Sequence, residues 1–388
     1  MKKPFNLSLA LLLGTVVILL IVQVAALFPG ITTPIERVEY SSRDLLVKAR
    51  GQQKPSDDIA IVAIDDFAFS WTGYQWPWPR SYFAEIVDQI NKGGGKLVGV
   101  DIFLFEPDKD AANDQAFAAA LGRMSFAVGV VQVFDNQVQG GSVSTFSQPL
   151  TPYLKALDGM GVTVIKRDED AIVRSVQAYD TYNGKVYYHW AFEIARLYLG
   201  VDEPASSSSG RIEFNGQAVP VQGREVLINF AGPAGTYPTY SAANVHDGIT
   251  LEENPDAFRN KIVLLGATSV TLQDIYPTPF STQFPTPGVE IVANTIDTLI
   301  SGKYLTEAPP WMALLLTLAA AFIAFFISRS KRPSVTVILL ALVMLAYAVI
   351  VAIFFILGRF ILPMAAPQIM LFLGVVLPTL EHAVSQEV

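Results

Sequence analysis

Four apolar stretches without a single charged residue, at 5–28, 311–328, 334–357 and 360–380, frame about 280 mostly polar residues. At about 1.5 Å of rise per residue each stretch, as a helix, reaches across a hydrocarbon core of about 30 Å. The expected architecture is therefore four transmembrane helices, one amino-terminal and three carboxy-terminal, displaying one domain. The segments are 1–28 (cytoplasmic tip and first helix), 29–308 (the displayed domain), 309–328, 334–357 and 360–380 (the later helices), and 381–388, which reads as the start of a cytoplasmic linker whose effector is missing or separate.

Charge at the flanks orients the chain, because cytoplasmic loops beside membrane helices are enriched in Lys and Arg. Lys2 and Lys3 precede the first stretch, and Arg329, Lys331 and Arg332 separate the second from the third. Both clusters place the amino terminus inside, the large domain outside and Glu381 back in the cytoplasm, as in a multi-pass plasma (inner) membrane protein. A cleaved signal peptide ending near Val24, Ala25 and Ala26 is the alternative, but the apolar run is about twice the length of a usual signal core. The absence of cysteine excludes disulfides and thiolate metal sites. Residues 29–308 hold 21 of the 27 Lys and Arg and 33 of the 35 Asp and Glu, a net charge of −12. That balance argues against nucleic acid or an anionic lipid surface as partner.

Within the domain the pattern is α/β, a mixed and largely parallel sheet with flanking helices. Residues 34–50 space their apolar positions as a helix leading out of the membrane. The run Ile59 to Ile64 reads as a strand buried on both faces, ending at Asp65 and Asp66. A helix over 81–91 stopped by Gly93, Gly94 and Gly95, then a strand over 96–100 ending at Asp101, complete a βαβ unit, which implies parallel pairing. A helix over 111–121 and a strand over 126–131 follow. Further on come a helix over 187–199, a surface loop over 202–210, antiparallel strands over 211–230 turned at Asn215 and Gly216, a strand over 261–266, and a helix over 288–300 ended by Gly302.

The residues in order also resemble a known family, the CHASE type 2 extracellular sensory domain of bacterial membrane receptors. The resemblance is carried by Asp44-Leu45-Leu46 with Arg50, Ile61-Val62-Ala63-Ile64-Asp65-Asp66, Trp76-Pro77-Trp78-Pro79-Arg80, and Val98-Gly99-Val100-Asp101 with Phe105, Asp108 and Asp110. It continues through Lys261-Ile262-Val263-Leu264-Leu265-Gly266, Gln273-Asp274, Thr278-Pro279 and Pro287-Gly288-Val289-Glu290, covering roughly 36–305. It implies a sensor input module, three closing membrane helices, a homodimer as working unit, and an adenylate or guanylate cyclase, or less readily a histidine or Ser/Thr kinase, as output. The chain departs from the pattern at Asp170-Ala171, where the family tends to carry glycine after the aspartate.

Ligands of open α/β sheets sit beyond the carboxyl ends of the strands. Asp65, Asp66 and Asp101 stand there, Thr268 and Asp274 follow another strand, and Arg80 closes the Trp-Pro loop. These six are the candidate ligand-binding residues, for an unidentified small-molecule or envelope ligand, or for a hard cation held by carboxylate oxygens. The competing reading makes the aspartates acceptors for loop N–H groups, with Arg80 as a brace. Glu106, Asp108, Asp110 and Asp114 lack the spacing of a calcium loop, and Asp110 reads better as a helix cap. Trp71, Tyr74, Trp76 and Trp78 read as core rather than as an aromatic binding surface, and Trp311 as an interfacial anchor.

No catalytic motif, metal centre or cofactor site is expected. His189, His246 and His382 form no zinc-binding pair, and neither a nucleophile elbow nor a phosphate loop is present. Pro363, Pro367 and Pro378 in the fourth stretch offer a bend through which ligand state is passed on. A tethered binding or scaffolding protein without signal output is the alternative function. A transporter is disfavoured by the lack of ionisable groups inside the apolar stretches.

Overall fold

The computed structural model describes residues 7–25, 33–138, 141–207, 211–281, 284–330 and 332–387. Lys2, Lys3, Ala26, Phe28, Ser208, Ser209 and Lys331 lie outside them. The chain divides into two compact units, Met1–Arg50 with Leu305–Val388, and Gly51–Tyr304.

The first unit begins with helices α1 (Leu7–Ala25) and α2 (Pro34–Arg50). The second is built on a central sheet of β1 (Ile59–Ile64), β2 (Leu97–Val100), β3 (Ala127–Val138), β4 (Gly141–Ser147), β5 (Gly159–Val162), β14 (Thr239–Ser241) and β15 (Ile262–Ala267). The order is β14-β1-β15-β2-β3, with β5 also parallel to β3 and β4 antiparallel to the far half of β3. Every residue of β1 and β2 is buried, as expected of parallel strands covered on both faces. One face packs on α3 (Asp66–Thr72), α4 (Arg80–Lys92), α5 (Ala111–Leu121), the short α6 (Thr151–Leu154) and the segments Ala242–His246 (α8) and Ile249–Glu253 (α9). The other is covered by α7 (Trp190–Leu199) and α10 (Gly288–Ser301).

Between these lie small antiparallel sheets: β6 (Ile165–Lys166) with β7 (Ser175–Gln177) and β13 (Glu225–Leu227), β8 (Tyr179–Tyr182) with β9 (Lys185–Tyr188), and β10 (Ala205–Ser207) with β11 (Arg211–Phe214) and β12 (Gln217–Pro220). The β11–β12 hairpin turns at Asn215 and Gly216, both with positive φ, as the sequence leads one to expect.

Several sequence expectations need correction. The βαβ unit does not pair its own strands, because β15 inserts between β1 and β2 and pairs with both. The helix expected over 187–199 starts at Trp190, since Tyr187 and Tyr188 belong to β9 and His189 caps the helix by accepting from the Ala191 N–H at 3.3 Å. Part of the expected loop over 202–210 is the strand β10. The aromatic loop turns inward only in part: Trp78 is buried and packs on Phe69, Trp76, Tyr82 and Phe83. Trp71 and Tyr74, expected in the core, are instead 58% and 50% exposed, the Trp71 indole N–H donating to Asp247 at 2.8 Å near the surface.

At the departure from the family pattern, Ala171 adopts the left-handed conformation, with φ 65°. The turn is held by Arg174, which bonds Asp168 at 2.7 Å and Asp170 at 2.7 and 2.9 Å. A left-handed alanine costs about 1–2 kcal/mol, partly recovered by the lower chain entropy of the unfolded state relative to glycine. Ala171→Gly is expected to stabilise the domain by roughly 0.5–1 kcal/mol, read as a rise of about 1–4 °C in a thermal melt. A fall would show that the turn does not require a positive φ.

The second unit also holds the antiparallel pair β16 (Ile275–Tyr276) and β17 (Thr286–Pro287), and the rest of the first comprises β18 (Thr306–Glu307), α11 (Pro310–Ser328), α12 (Pro333–Gly358), β19 (Phe360–Ile361) and α13 (Ala365–Glu387). Ala320, Ala321 and Ala324 of α11 are buried against Leu19, Met370, Leu371 and Val375, small residues allowing close approach between apolar helices. Gln23 donates to Thr317 at 2.8 Å across the same bundle. Two helices, Pro310–Ser328 and Ser334–Gly358, are long and apolar enough to cross a membrane, where four stretches were expected. The apolar parts of α1 and α13 found among the described residues, Leu13–Ala25 and Ala365–Leu377, are shorter. In the fourth stretch Phe360 and Ile361 pair with β18, so the helix starts only at Ala365. Pro363 therefore precedes the helix and Pro367 sits in its first turn, where no intrahelical N–H partner is lost. Only Pro378 falls in its interior.

Two carboxylates order this unit. Glu36 and Thr33 cap the start of α2 reciprocally, with Glu36 accepting from the Thr33 N–H at 2.6 Å and Thr33 Oγ1 from the Glu36 N–H at 3.4 Å. Glu39 of α2 accepts from the N–H groups of Met364 at 3.0 Å and Ala365 at 2.8 Å, placing a negative charge at the positive end of α13.

Candidate functional site

β1, β15 and β2 are adjacent and parallel, so their carboxyl ends form one edge. At that edge opens a cleft of about 720 Å³, lined among others by Trp76, Arg80, Asp101, Phe103, Glu106 and Asp274. Its volume is that of a small-molecule site, and its walls mix aromatic surface with a few polar groups.

Asp101 directly follows β2, and its N–H continues the ladder to the Leu265 carbonyl at 2.8 Å. Gly266 on the neighbouring strand leaves room for it: a Cβ there would lie 3.1 Å from the Asp101 Cβ and 2.8 Å from Val289. Burial, and secondly the nearby Asp274, push the Asp101 carboxyl up to about 8, so at neutral pH it is mostly protonated. Asp274 is raised as well, chiefly by burial, against a hydrogen bond from Tyr276 that lowers it. Its carboxylate lies against the first residue of α10, where a Cβ on Gly288 would sit 2.3 Å from Oδ2, and its carbonyl accepts from the Gly288 N–H at 2.9 Å. Pro287-Gly288 is thus the sequence that admits this carboxylate to the start of the helix.

Arg80, the first residue of α4, is 8% exposed. Its Nη2 donates to the Phe103 carbonyl at 3.1 Å, while Nη1 has no hydrogen-bond partner among the described residues. An unmade hydrogen bond on a buried polar group costs about 1–3 kcal/mol, more for a charged one. The Arg80 N–H donates to Asp108 at 2.8 Å. Burial raises the Asp108 carboxyl, but N–H donors from Asp110 and Arg80 and the Asn113 amide outweigh it and hold the group below its ordinary value.

The other three candidates do not line the cleft. Asp65 caps α3, accepting from the Ala68 N–H at 2.8 Å, and accepts from the Ser241 hydroxyl at 2.8 Å. Asp66 accepts from the Ser269 hydroxyl. The N–H of Thr268, like that of Ser269, is spent on the Ile64 carbonyl at 3.1 Å, so the loop after β15 offers no free donor there. The acidic run after Phe105 is structural in part: Asp110 caps α5 at 2.9 Å, and Asp114 accepts from Tyr153 at 2.6 Å. Glu106 instead lines the cleft, together with Gln132, Thr163 and Tyr276, which sequence reasoning did not single out as site residues. For Glu106 and Thr163 the signal is position, each lying beyond the end of a parallel strand, whereas Gln132 sits within β3, where pairing passes from β5 to β4, and Tyr276 within β16, which no local pattern marks.

No group of three or more His, Cys, Asp or Glu among the described residues is placed to hold a metal ion. His189 is fully buried and held neutral, its value pushed down to about 3 by burial, and it serves as a helix cap. Such an arrangement, a mixed cleft with a neutral carboxyl, a second carboxyl and an unsaturated guanidinium, suits recognition of a small polar molecule.

No curated protein and no solved structure matches the chain. A family model, the CHASE2 domain, matches residues 16–327, spanning the whole α/β unit and its cleft. CHASE2 domains are extracellular sensory domains of membrane signalling receptors, and this chain belongs to the CHASE2 domain family.

Proposed function

We propose that the chain is the input module of a multi-pass plasma-membrane receptor. Its α/β unit faces the extracytoplasmic side, holds a small ligand in the cleft beyond β2 and β15, and passes the ligand state through the membrane helices to a cytoplasmic output. An adenylate or guanylate cyclase, working in a homodimer, is the output that the family favours. The observation that carries the reading is the cleft, at the edge where open α/β sheets bind ligands and with the Arg80 Nη1 left without a partner among the described residues. The basic flanks of the apolar stretches support the orientation.

A route for transmission is built into the chain. α10, whose first turn meets Asp274, leads through Gly302 and Tyr304 into β18, and β18 pairs with β19 just ahead of α13. Glu39 ties α2 to the first N–H groups of α13. Ligand biases such a system only by binding one arrangement more tightly than the other.

The cysteine-free sequence permits a direct test. In intact spheroplasts a membrane-impermeant maleimide is expected to label Lys109→Cys at least about ten-fold faster than Ser330→Cys, the basic-loop position reacting only after permeabilisation. The reverse order would overturn the orientation and with it an extracytoplasmic sensor.

A further inference from the structure

We propose that the cleft takes a small zwitterion, an α-amino acid or a close relative, with its ammonium group against Asp101 and Asp274 and its carboxylate toward Arg80. The inference rests on the reading of the cleft as the sensing site and gives that site a ligand class.

Of the carboxyls lining the cleft, Asp101 and Asp274 act on each other and no cation among the described residues is paired with either: Asp101 meets Asp274, and the Asp274 carboxyl accepts from the Tyr276 hydroxyl. A positively charged group placed between them would be attracted by both and would favour their ionised forms. On the opposite sign, Arg80 lines the same cleft, is more than nine-tenths buried, and keeps Nη1 unpartnered. Its other terminal nitrogen holds the Phe103 carbonyl at 3.1 Å, two residues beyond Asp101, and Phe103, Asp101 and Arg80 all line the cleft. A cleft that offers carboxyls and a guanidinium together suits a ligand carrying both signs better than a plain amine or a plain acid.

The alternatives fit less well. A metal ion needs more donors than the two carboxyls, and no cluster of three is present among the described residues. A volume of about 720 Å³ also leaves space for a side chain between Trp76, Phe103 and Phe105. The charged or titratable groups facing Asp101 across the cleft are Asp274, Glu106, Tyr276 and Arg80. Ammonium binding at neutral pH therefore expels a proton from the carboxyl pair.

The test uses the full chain in lipid nanodiscs. Each common α-amino acid is screened singly by thermal shift, and hits are titrated by calorimetry in two buffers of different ionisation enthalpy. At least one is expected to bind with proton release, and its amide, lacking the carboxylate, and its N-acetyl form, lacking the ammonium, to bind at least about ten-fold more weakly. Asp101→Asn should weaken binding by a similar factor and abolish most of the proton release. Should Arg80→Gln fail to fold, the amide and N-acetyl analogues still test the carboxylate and ammonium contacts without any substitution. Calcium chloride, a plain amine and a plain carboxylate are run beside them, with Thr163→Trp as the cleft-filling variant. If one of these three binds, loses binding in Thr163→Trp, and no amino acid binds, the zwitterion is wrong and the cleft stands. If binding of a hit survives Thr163→Trp, the cleft itself is not the site and both fall. If neither amino acids nor the three simpler probes bind, the zwitterion proposal is overturned.

Discussion

Asp101→Asn is expected to flatten the pH dependence of domain stability between about pH 5 and 8, and to make the variant more stable than the parent at the upper end. The folded carboxyl titrates near 8, and an unfolded aspartate near 3.9. Between those values the folded state holds a proton that the unfolded state has released, so raising the pH favours unfolding. The contribution is fully present below about pH 4 and is lost as the pH rises through about 8. Its slope is at most about 1.4 kcal/mol per pH unit, or on the order of 3–4 kcal/mol across the window. For a unit of this size that is roughly 10 °C in melting temperature. Part of Asp101 opens to water in the cleft, which makes this an upper figure. Asparagine resembles the protonated carboxyl and does not titrate. Asp274, Glu290 and Asp168 are also raised, mainly by burial, and leave a smaller slope of the same sign in the variant. Parallel melting curves for parent and variant from pH 5 to 8 would show that Asp101 is ionised in the folded protein.

The distinction between Asp101 and the two aspartates after β1 marks where sequence reading ends. All three follow an uninterrupted apolar strand, and in the sequence they look alike. Asp65 is followed at once by a helix and becomes its cap, and Asp66 meets Ser269, whereas Asp101 enters a loop with no helix to cap. A short-range signal, the helical pattern starting at Asp66, separates them, but it is weak over the seven residues of α3. What was legible is local: α2 over 34–50, the glycines after α4, the Asp110 cap and the Asn215–Gly216 turn. What was not legible depends on distant partners. β15 enters the sheet between β1 and β2 from far along the chain, and no periodicity within any of the three strands records that order. Glu39 escaped notice for the same reason, since its partners are the N–H groups of Met364 and Ala365.

The largest purely steric effect is expected from Gly161→Ala in β5. A Cβ at this position would lie 2.5 Å from the Tyr188 carbonyl oxygen and 2.6 Å from both the nitrogen and Cα of Trp190. All three are backbone atoms, so no side-chain rotation relieves the clash. The strand cannot retreat easily, because it is in register with β3 from Gly159 to Val162. Nor can α7, whose Trp190, Phe192 and Ile194 are fully buried against the sheet. Overpacking of this kind typically costs about 1–3 kcal/mol, and immovable neighbours on both sides put this case at roughly 3–5 kcal/mol. The expected fall in melting temperature is about 6–20 °C. Gly184→Ala is the control: its Cβ meets nothing within 4 Å and only the positive φ of 78° opposes it, for about 1 kcal/mol. Thr163, two residues beyond Gly161, lines the cleft, so a Gly161→Ala protein that survives by displacing β5 should also bind ligand more weakly. A variant as stable as the parent would mean that β5 and the start of α7 do not approach each other this closely, and that the wall of the cleft they support is more open than the structure shows.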